Sequence, residues 1–293
     1  MFLLFLINEY IQFIMKNIVK FILERKAVNF GNAKSNYGHC IILAGGPGSG
    51  KGYVKNNKIL SSFKSVDVDD MKKMYIKLQK AGKIDDKYDY DLSKAEDTFK
   101  LHFAVKDRGW KGKQRKLFWD QRNTDTKNLP NILWDMVSDD PEDILEVIKY
   151  AKPAGYNVTL VWVCCNMETA KEGNAKRERR VSQEVLEKGH KDAYKCITDV
   201  LSNKYPIITE GIDNAWIAFT AGYKRMLSDK FKKDEVLKIK KDEDGKFIFD
   251  KSYVDDFLKE QMPLDPDWEV NDAKEKERKK KLFASKISES LNS

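Results

Sequence analysis

The sequence predicts an α/β fold of three layers, a parallel sheet covered by helices on both faces, and three observations carry that expectation. From His39 onward short apolar runs alternate with helical patterns, which is how parallel β-α-β units read. The first of these runs, HCIILA, leads into the glycine-rich stretch GGPGSGK at residues 45 to 51, which in turn opens a helical pattern. The run YNVTLVWVCC at 156 to 165 is continuously apolar and β-branched, as a central strand covered on both faces must be.

The elements follow in order. Residues 1 to 38 are expected to be an N-terminal helix and linker. Phe13, Ile14, Ile18, Phe21 and Ile22 recur at helical spacing, so the helix reads as docked on the domain, with a helix lying on a membrane surface as the rival. Polar residues such as Asn8, Glu9 and Lys16 interrupt any bilayer-spanning run, no secretory signal is present, and Met15-Lys16 would itself make an ordinary start. A first strand and its loop occupy HCIILAGG, and FKSVDVDD at 63 to 70 reads as the second strand. A mostly helical insertion at 71 to 128 comes next, far longer than a crossover needs, and is the expected place of a substrate-binding subdomain. NILWDM at 131 to 136 is the third strand. Then SDDPEDILEVIKYAKPAGY gives a helix with Asp140 as cap, Pro141 in its first turn and Gly155 past its end. After the fourth strand comes a charged helical region, with PIIT and NAWIAFTA as further short strands. Residues 39 to 221 thus form one domain. Residues 222 to 293 read as a C-terminal hairpin turning at Asp244-Gly245, a short helix and a charged helical tail.

Composition narrows the class. The chain has 293 residues and a formal net charge of +8, and residues 272 to 293 alone hold seven Lys or Arg against four acids. Such a balance suits a phosphorylated or nucleotide-like substrate without requiring nucleic acid. The four cysteines, Cys40, Cys164, Cys165 and Cys196, show no metal-ligand spacing, and the adjacent pair sits in an apolar run. Neither a disulfide framework nor a zinc site is expected, since His39, His102 and His190 pair with nothing at ligand spacing; a reducing, cytoplasmic setting follows.

Chemistry concentrates in three places. In the loop formed by Gly45, Gly46, Pro47, Gly48, Ser49, Gly50 and Lys51, backbone N–H groups can curl around a phosphate. The helix N-terminus adds partial positive charge, and Lys51 reaches the β- and γ-phosphates. The next positions, Gly52 and Tyr53, lack the Ser or Thr that usually helps to hold Mg²⁺, an ion that is also held by carboxylates through water. Asp67, Asp69 and Asp70 of VDVDD fall at or beyond the C-terminal end of the second strand, the edge that faces the phosphates. There a carboxylate can accept the proton of an attacking hydroxyl, although Asp67 and Asp70 also read as helix caps. Asp135 ends the third strand on the same edge and is the expected outer-sphere holder of Mg²⁺. Finally, Arg177 and Arg180 of NAKRERRVSQEVL are three apart, hence on one face if the segment is helical, and suit a lid over the transferring phosphoryl group.

The loop GGPGSGKG resembles that of adenylate kinases, in which Lys is likewise followed by Gly. The order GGPGSGK, VDVDD, AGYNVTLVWV and NAKRERRVSQEVLEKGH resembles the zeta-toxin family of P-loop kinases and their polynucleotide-kinase-type relatives, over roughly residues 39 to 221. What the resemblance implies is a P-loop kinase core that uses ATP or GTP with Mg²⁺. Lys51 would be the phosphate-binding lysine, Asp69 the catalytic base with a further possible metal contact, and Arg177 with Arg180 the lid arginines. It also implies a hydroxyl acceptor such as a UDP-activated amino sugar, and an inhibitory protein partner. Gly52 departs from the family's Thr, and MVSDD lacks the Thr-Gly pair often found after Asp135.

The insertion adds DRGWKGKQRKLFWDQR, in which Arg108, Lys111, Lys113, Arg115 and Lys116 interleave with Trp110, Phe118 and Trp119. This composition suits stacking on a base, so nucleotide sugar, nucleotide and nucleic acid end all stand as acceptors, against simple helix packing. Two rival readings stand beside the phosphotransferase: a catalytically weak or inactive ATP-binding scaffold, and a membrane- or assembly-associated structural protein resting on the apolar N-terminus and basic tail.

Overall fold

In a computed structural model, the structure describes residues 38–267 apart from 58, 60–62, 93, 110–128, 178–179, 223 and 233–235, together with residue 269. The expected N-terminal helix, most of the basic aromatic run and the charged tail lie outside the described residues.

Six strands form one sheet: β1 (His39–Ala44), β2 (Lys64–Val66), β3 (Ile132–Asp135), β4 (Asn157–Cys164), β5 (Asn214–Phe219) and β6 (Leu237–Ile239). Their order across the sheet is β2-β3-β1-β4-β5-β6, and only β6 runs antiparallel to its neighbour. The expected α/β architecture is therefore present, with helices on both faces. Strand alternation explains why the sheet is buried twice over. In β1 the side chains of Cys40, Ile42 and Ala44 enter one core and those of Ile41 and Leu43 the other, and all five are 0% exposed.

Helix α1 (Lys51–Asn57) follows the glycine loop and covers the Ile41–Leu43 face through Val54. On the other face lie α4 (Pro141–Ala151), α6 (Gln183–Leu201), α7 (Pro206–Gly211) and α9 (Lys251–Lys259), contributing among others Ile144, Ala193, Ile208 and Phe257. The start of α4 is written locally: the Asp140 carboxylate accepts from the Glu142 N–H, Pro141 occupies the first turn, and Glu142 and Asp143 follow. Between β2 and β3 the insertion supplies α2 (Val68–Lys80) and α3 (Ala95–Asp107). They pack on each other around a small core of their own: Met71, Tyr75, Ile84, Leu101 and Val105.

Described residues between 224 and 267 join the main core. The short helix α8 (Asp229–Lys232) brings Phe231 against Phe219 of β5 and Phe257 of α9, with ring centroids 5.3 and 4.9 Å away. Each such buried ring contributes roughly 1.5–3 kcal/mol. Strand β6 then extends the sheet, and the turn at Asp242–Gly245 brings Phe247 opposite Lys241 in a single bridge.

Two local expectations are corrected. PIIT is helix α7, not a strand, because Pro206 stands at its first position and the N–H groups of Ile208 and Thr209 both donate to the Tyr205 carbonyl. The second strand stops at Val66, because the Asp67 side chain accepts the Asp69 N–H at 2.8 Å and so starts α2.

Candidate active site

The glycine loop takes the shape its residues allow. Gly45, Gly48 and Gly50 have φ of 145°, 76° and 94°, a region that favours glycine. The loop is also seated from behind. The Gly45 N–H donates to the Val137 carbonyl at 3.2 Å, and Thr220, just past β5, donates from Oγ1 to the Ser49 carbonyl at 2.6 Å. Helix α5 (Met167–Ala175) lies so close that a Cβ added to Gly173 would stand 2.5 Å from the Gly48 carbonyl oxygen. Lys51, the first residue of α1, bonds back to the Gly45 carbonyl at 2.5 Å and the Gly46 carbonyl at 3.4 Å.

Sheet register delivers the carboxylates to this loop. Leu43 pairs with Asp135 and Val66 with Trp134, so Asp67, one residue beyond Val66, stands level with Asp135. Lys51 Nζ lies 4.0 Å from Asp135 Oδ1, and the two side chains are 11% and 15% exposed. Burial lowers the Lys51 ammonium, with Asp135 opposing the shift. Burial likewise raises Asp135, to about 6, with Lys51 opposing. Two buried ionisable groups at the limit of contact, each pushed toward its neutral form by burial and lining a cleft, mark a candidate functional site. Asp67 is also raised by burial, despite the N–H it accepts. Asp69 lies in the first turn of α2, 42% exposed, with its carboxylate 3.6 Å from the buried ammonium of Lys72.

All of these side chains line one cleft of about 620 Å³, together with Arg177, the α4 carboxylates Asp143 and Glu146, and His102 of α3. The cleft therefore runs from the glycine loop to the insertion, where a substrate-binding subdomain was expected. Gly52 also lines it, and a Cβ placed there would meet nothing within 4 Å. The neighbouring Tyr53 is 53% exposed.

A phosphate chain fits the loop, because positive φ at Gly45, Gly48 and Gly50 curls its backbone at the start of α1. For Mg²⁺ the fit is narrower. Among the described residues no group of three or more candidate ligands gathers, so a metal here would be held mainly by water and phosphate, with Asp135 as the nearby carboxylate.

The expected helical face bearing Arg177 and Arg180 is absent. Helix α5 ends at Ala175, Ser182 caps α6 through the Val185 N–H, and the two arginines lie on the arm between. Asn174 pins that arm: its amide donates to the Val181 carbonyl at 2.8 Å and accepts the Val181 N–H at 3.0 Å. Arg177 reaches the cleft; Arg180 is exposed and does not line it.

Sequence reasoning missed His190. Its Nε2 lies 2.7 Å from the Pro47 carbonyl oxygen, across 143 residues of chain. Because a carbonyl only accepts, Nε2 carries the hydrogen. Burial holds the ring below the usual imidazole value, so it is held neutral. The signal available was its place in KGH on the helix after the arginine arm, which spacing alone does not connect to the loop.

No family model matches this sequence, and no curated protein does. Among solved structures, the chain is similar to one in the AvrRxo1-ORF1:AvrRxo1-ORF2 complex with sulphate ions, at 16% identity and a TM-score of 0.46. It is similar also to one in the AvrRxo1-ORF1:-ORF2 structure with ATP, at 15% and 0.45. In both cases 76% of this chain is covered, but only 64% of the other chain's length. A structure of the PezAT chromosomal toxin-antitoxin system of Streptococcus pneumoniae is similar at 13% identity and a TM-score of 0.43, covering 94% of this chain and 96% of the other. The structural neighbours of this α/β fold thus include a toxin-antitoxin protein, and, the likeness being distant, the chemistry rests on this chain's own residues.

Proposed function

We propose that this chain is a phosphotransferase that moves the γ-phosphate of ATP, or of GTP, to a hydroxyl acceptor. The observation that supports it best is the Lys51–Asp135 pair, buried where the glycine loop opens on a cleft lined by Asp67, Asp69 and Arg177. In this reading the N–H groups of Gly48, Gly50, Lys51 and Gly52 hold the triphosphate, and Lys51 exchanges its carbonyl partners for phosphate oxygens. Asp69 takes the proton of the acceptor hydroxyl while that oxygen bonds the γ-phosphorus and the bridging oxygen leaves with ADP. Asp67 holds the end of α2 through its cap, which keeps Asp69 at the cleft. Arg177 neutralises charge that gathers on the phosphoryl oxygens, with Arg180 joining when the arm closes. Asp135 would hold Mg²⁺ through water, and the metal would supply charge neutralisation at the phosphates.

The acceptor class is a nucleotide sugar, a nucleotide or a nucleic acid end, the composition of the basic aromatic run in the insertion being suited to stacking. An inhibitory protein partner, as the motif resemblance implies, belongs to the same proposal. The absence of a hydroxyl at Gly52 favours a second reading, a nucleotide-binding scaffold with little turnover. Among the described residues no helix is long and apolar enough to cross a membrane. Incubation of γ-labelled ATP with members of the three acceptor classes, comparing the intact chain with Lys51→Ala and Asp69→Asn, tests the proposal. Transfer that both substitutions abolish supports it, and magnesium-independent ATP binding with no ADP formed supports the scaffold.

A further inference from the structure

Resting on the phosphotransferase reading, we infer that His190 is a positioning residue that sets the glycine loop for phosphate binding and ties it to the arginine-bearing arm. The contact is close on three counts. His190 donates to the Pro47 carbonyl at 2.7 Å; a Cβ added to Gly46 would stand 2.5 Å from the imidazole; and a Cβ on the preceding Gly189 would stand 3.1 Å from the Pro47 ring. The loop thus rests on a dipeptide of α6, whose neighbour α5 meets it at Gly48 through Gly173. These are the two helices that flank the arm carrying Arg177, so the loop and the arm share one support.

What the bond does follows from peptide geometry. The described chain has no cis peptide bond, so the carbonyl of Pro47 and the N–H of Gly48 point in opposite directions across one plane. Holding the carbonyl toward α6 turns the Gly48 N–H away from it, which leaves that donor for a phosphate oxygen. Without the imidazole donor this peptide is free to rotate, because Gly48 tolerates both senses of φ. The ring also lines a second cavity of about 260 Å³, which Gly46, Trp162, Cys165, Met167 and Tyr194 line as well.

The test uses the full chain, with ATP affinity read by calorimetry and phosphate transfer read with γ-labelled ATP. His190→Phe keeps a ring and removes the donor; His190→Gln keeps a donor. Loss of one charge-free hydrogen bond that orients a binding amide predicts ATP affinity about tenfold weaker in His190→Phe. His190→Gln is expected to stay within about threefold of the parent, which a purely packing role would not produce. A second measurement does not depend on the ring being replaceable by Phe. Gly46 is not in a left-handed conformation, and the three atoms nearest a Cβ there all belong to the imidazole, which is thus the first bar to a side chain. Gly46→Ala is therefore expected to weaken ATP binding in the parent, and the Gly46→Ala, His190→Ala double variant to bind no worse than His190→Ala alone. Parent-like affinity in a folded His190→Phe, equal behaviour of Phe and Gln, or additive losses in the double variant would each overturn the inference while leaving the phosphotransferase reading in place. A parent chain that binds no ATP would instead overturn that reading and this inference with it.

Discussion

Two residues carry the sharpest consequences. Gly52 stands where a hydroxyl would assist a metal, and the space beyond its Cα is open. Gly52→Thr is expected to fold at least as well as the parent, since helix propensity favours Thr over Gly by a few tenths of a kcal/mol. It should also raise magnesium-dependent transfer several-fold, and a loss of thermal stability would show that the open space is not real. Asp135 offers a pH test. Burial raises its folded-state value to about 6 from the ordinary 3.8, so between pH 4 and 6 the unfolded chain has lost a proton that the folded chain still holds. Folding stability contributed by this group therefore falls as pH rises through that window, by on the order of 2 kcal/mol. Denaturant melts at pH 4 and pH 7 should show that difference for the parent and a flatter one for Asp135→Asn; equal pH dependence would contradict the burial of this carboxylate. These residues were legible because glycines and carboxylates at strand ends have local meaning. His190 was not, since its role depends on a bond to Pro47 that only the folded chain makes.

At the scale of elements, the arm between α5 and α6 is the feature the structure changes most. Read as a helix, it placed Arg177 and Arg180 on one face. The caps at Lys176 and Ser182 break that helix, and the Asn174 bonds fold the arm back. Arg177 alone of the two lines the cleft, so Arg177→Ala is expected to lower kcat about a hundredfold, within the range for removing one charge-stabilising donor. Arg180→Ala should cost clearly less. Equal losses would mean that the arm closes far enough to bring both into the site. PIIT shows why short elements escape sequence reasoning. Four apolar or β-branched residues fit a strand and a helical turn alike, and even exposed Ile207 beside buried Ile208 suits a strand; only Pro206 at the first helical position and the N–H groups of Ile208 and Thr209 turning back to the Tyr205 carbonyl tell them apart.

For the whole molecule, the β-α-β rhythm and the continuous apolar run of β4 announced a parallel sheet, but not its order. That β3 lies between β2 and β1 is a consequence of packing, and this order is what brings Asp67, Asp135 and Lys51 to one edge. Beyond Ala221 the change of charge and turn signals likewise does not reveal that Phe231, Phe247 and Phe257 enter the main core. Whether this edge transfers phosphate is read from the label passed from γ-labelled ATP to a hydroxyl acceptor by the intact chain and by Lys51→Ala, with melting curves confirming that both fold. Magnesium-dependent transfer by the parent and a loss of at least about a hundredfold in the variant are expected. Equal transfer by the two proteins would overturn the phosphotransferase reading.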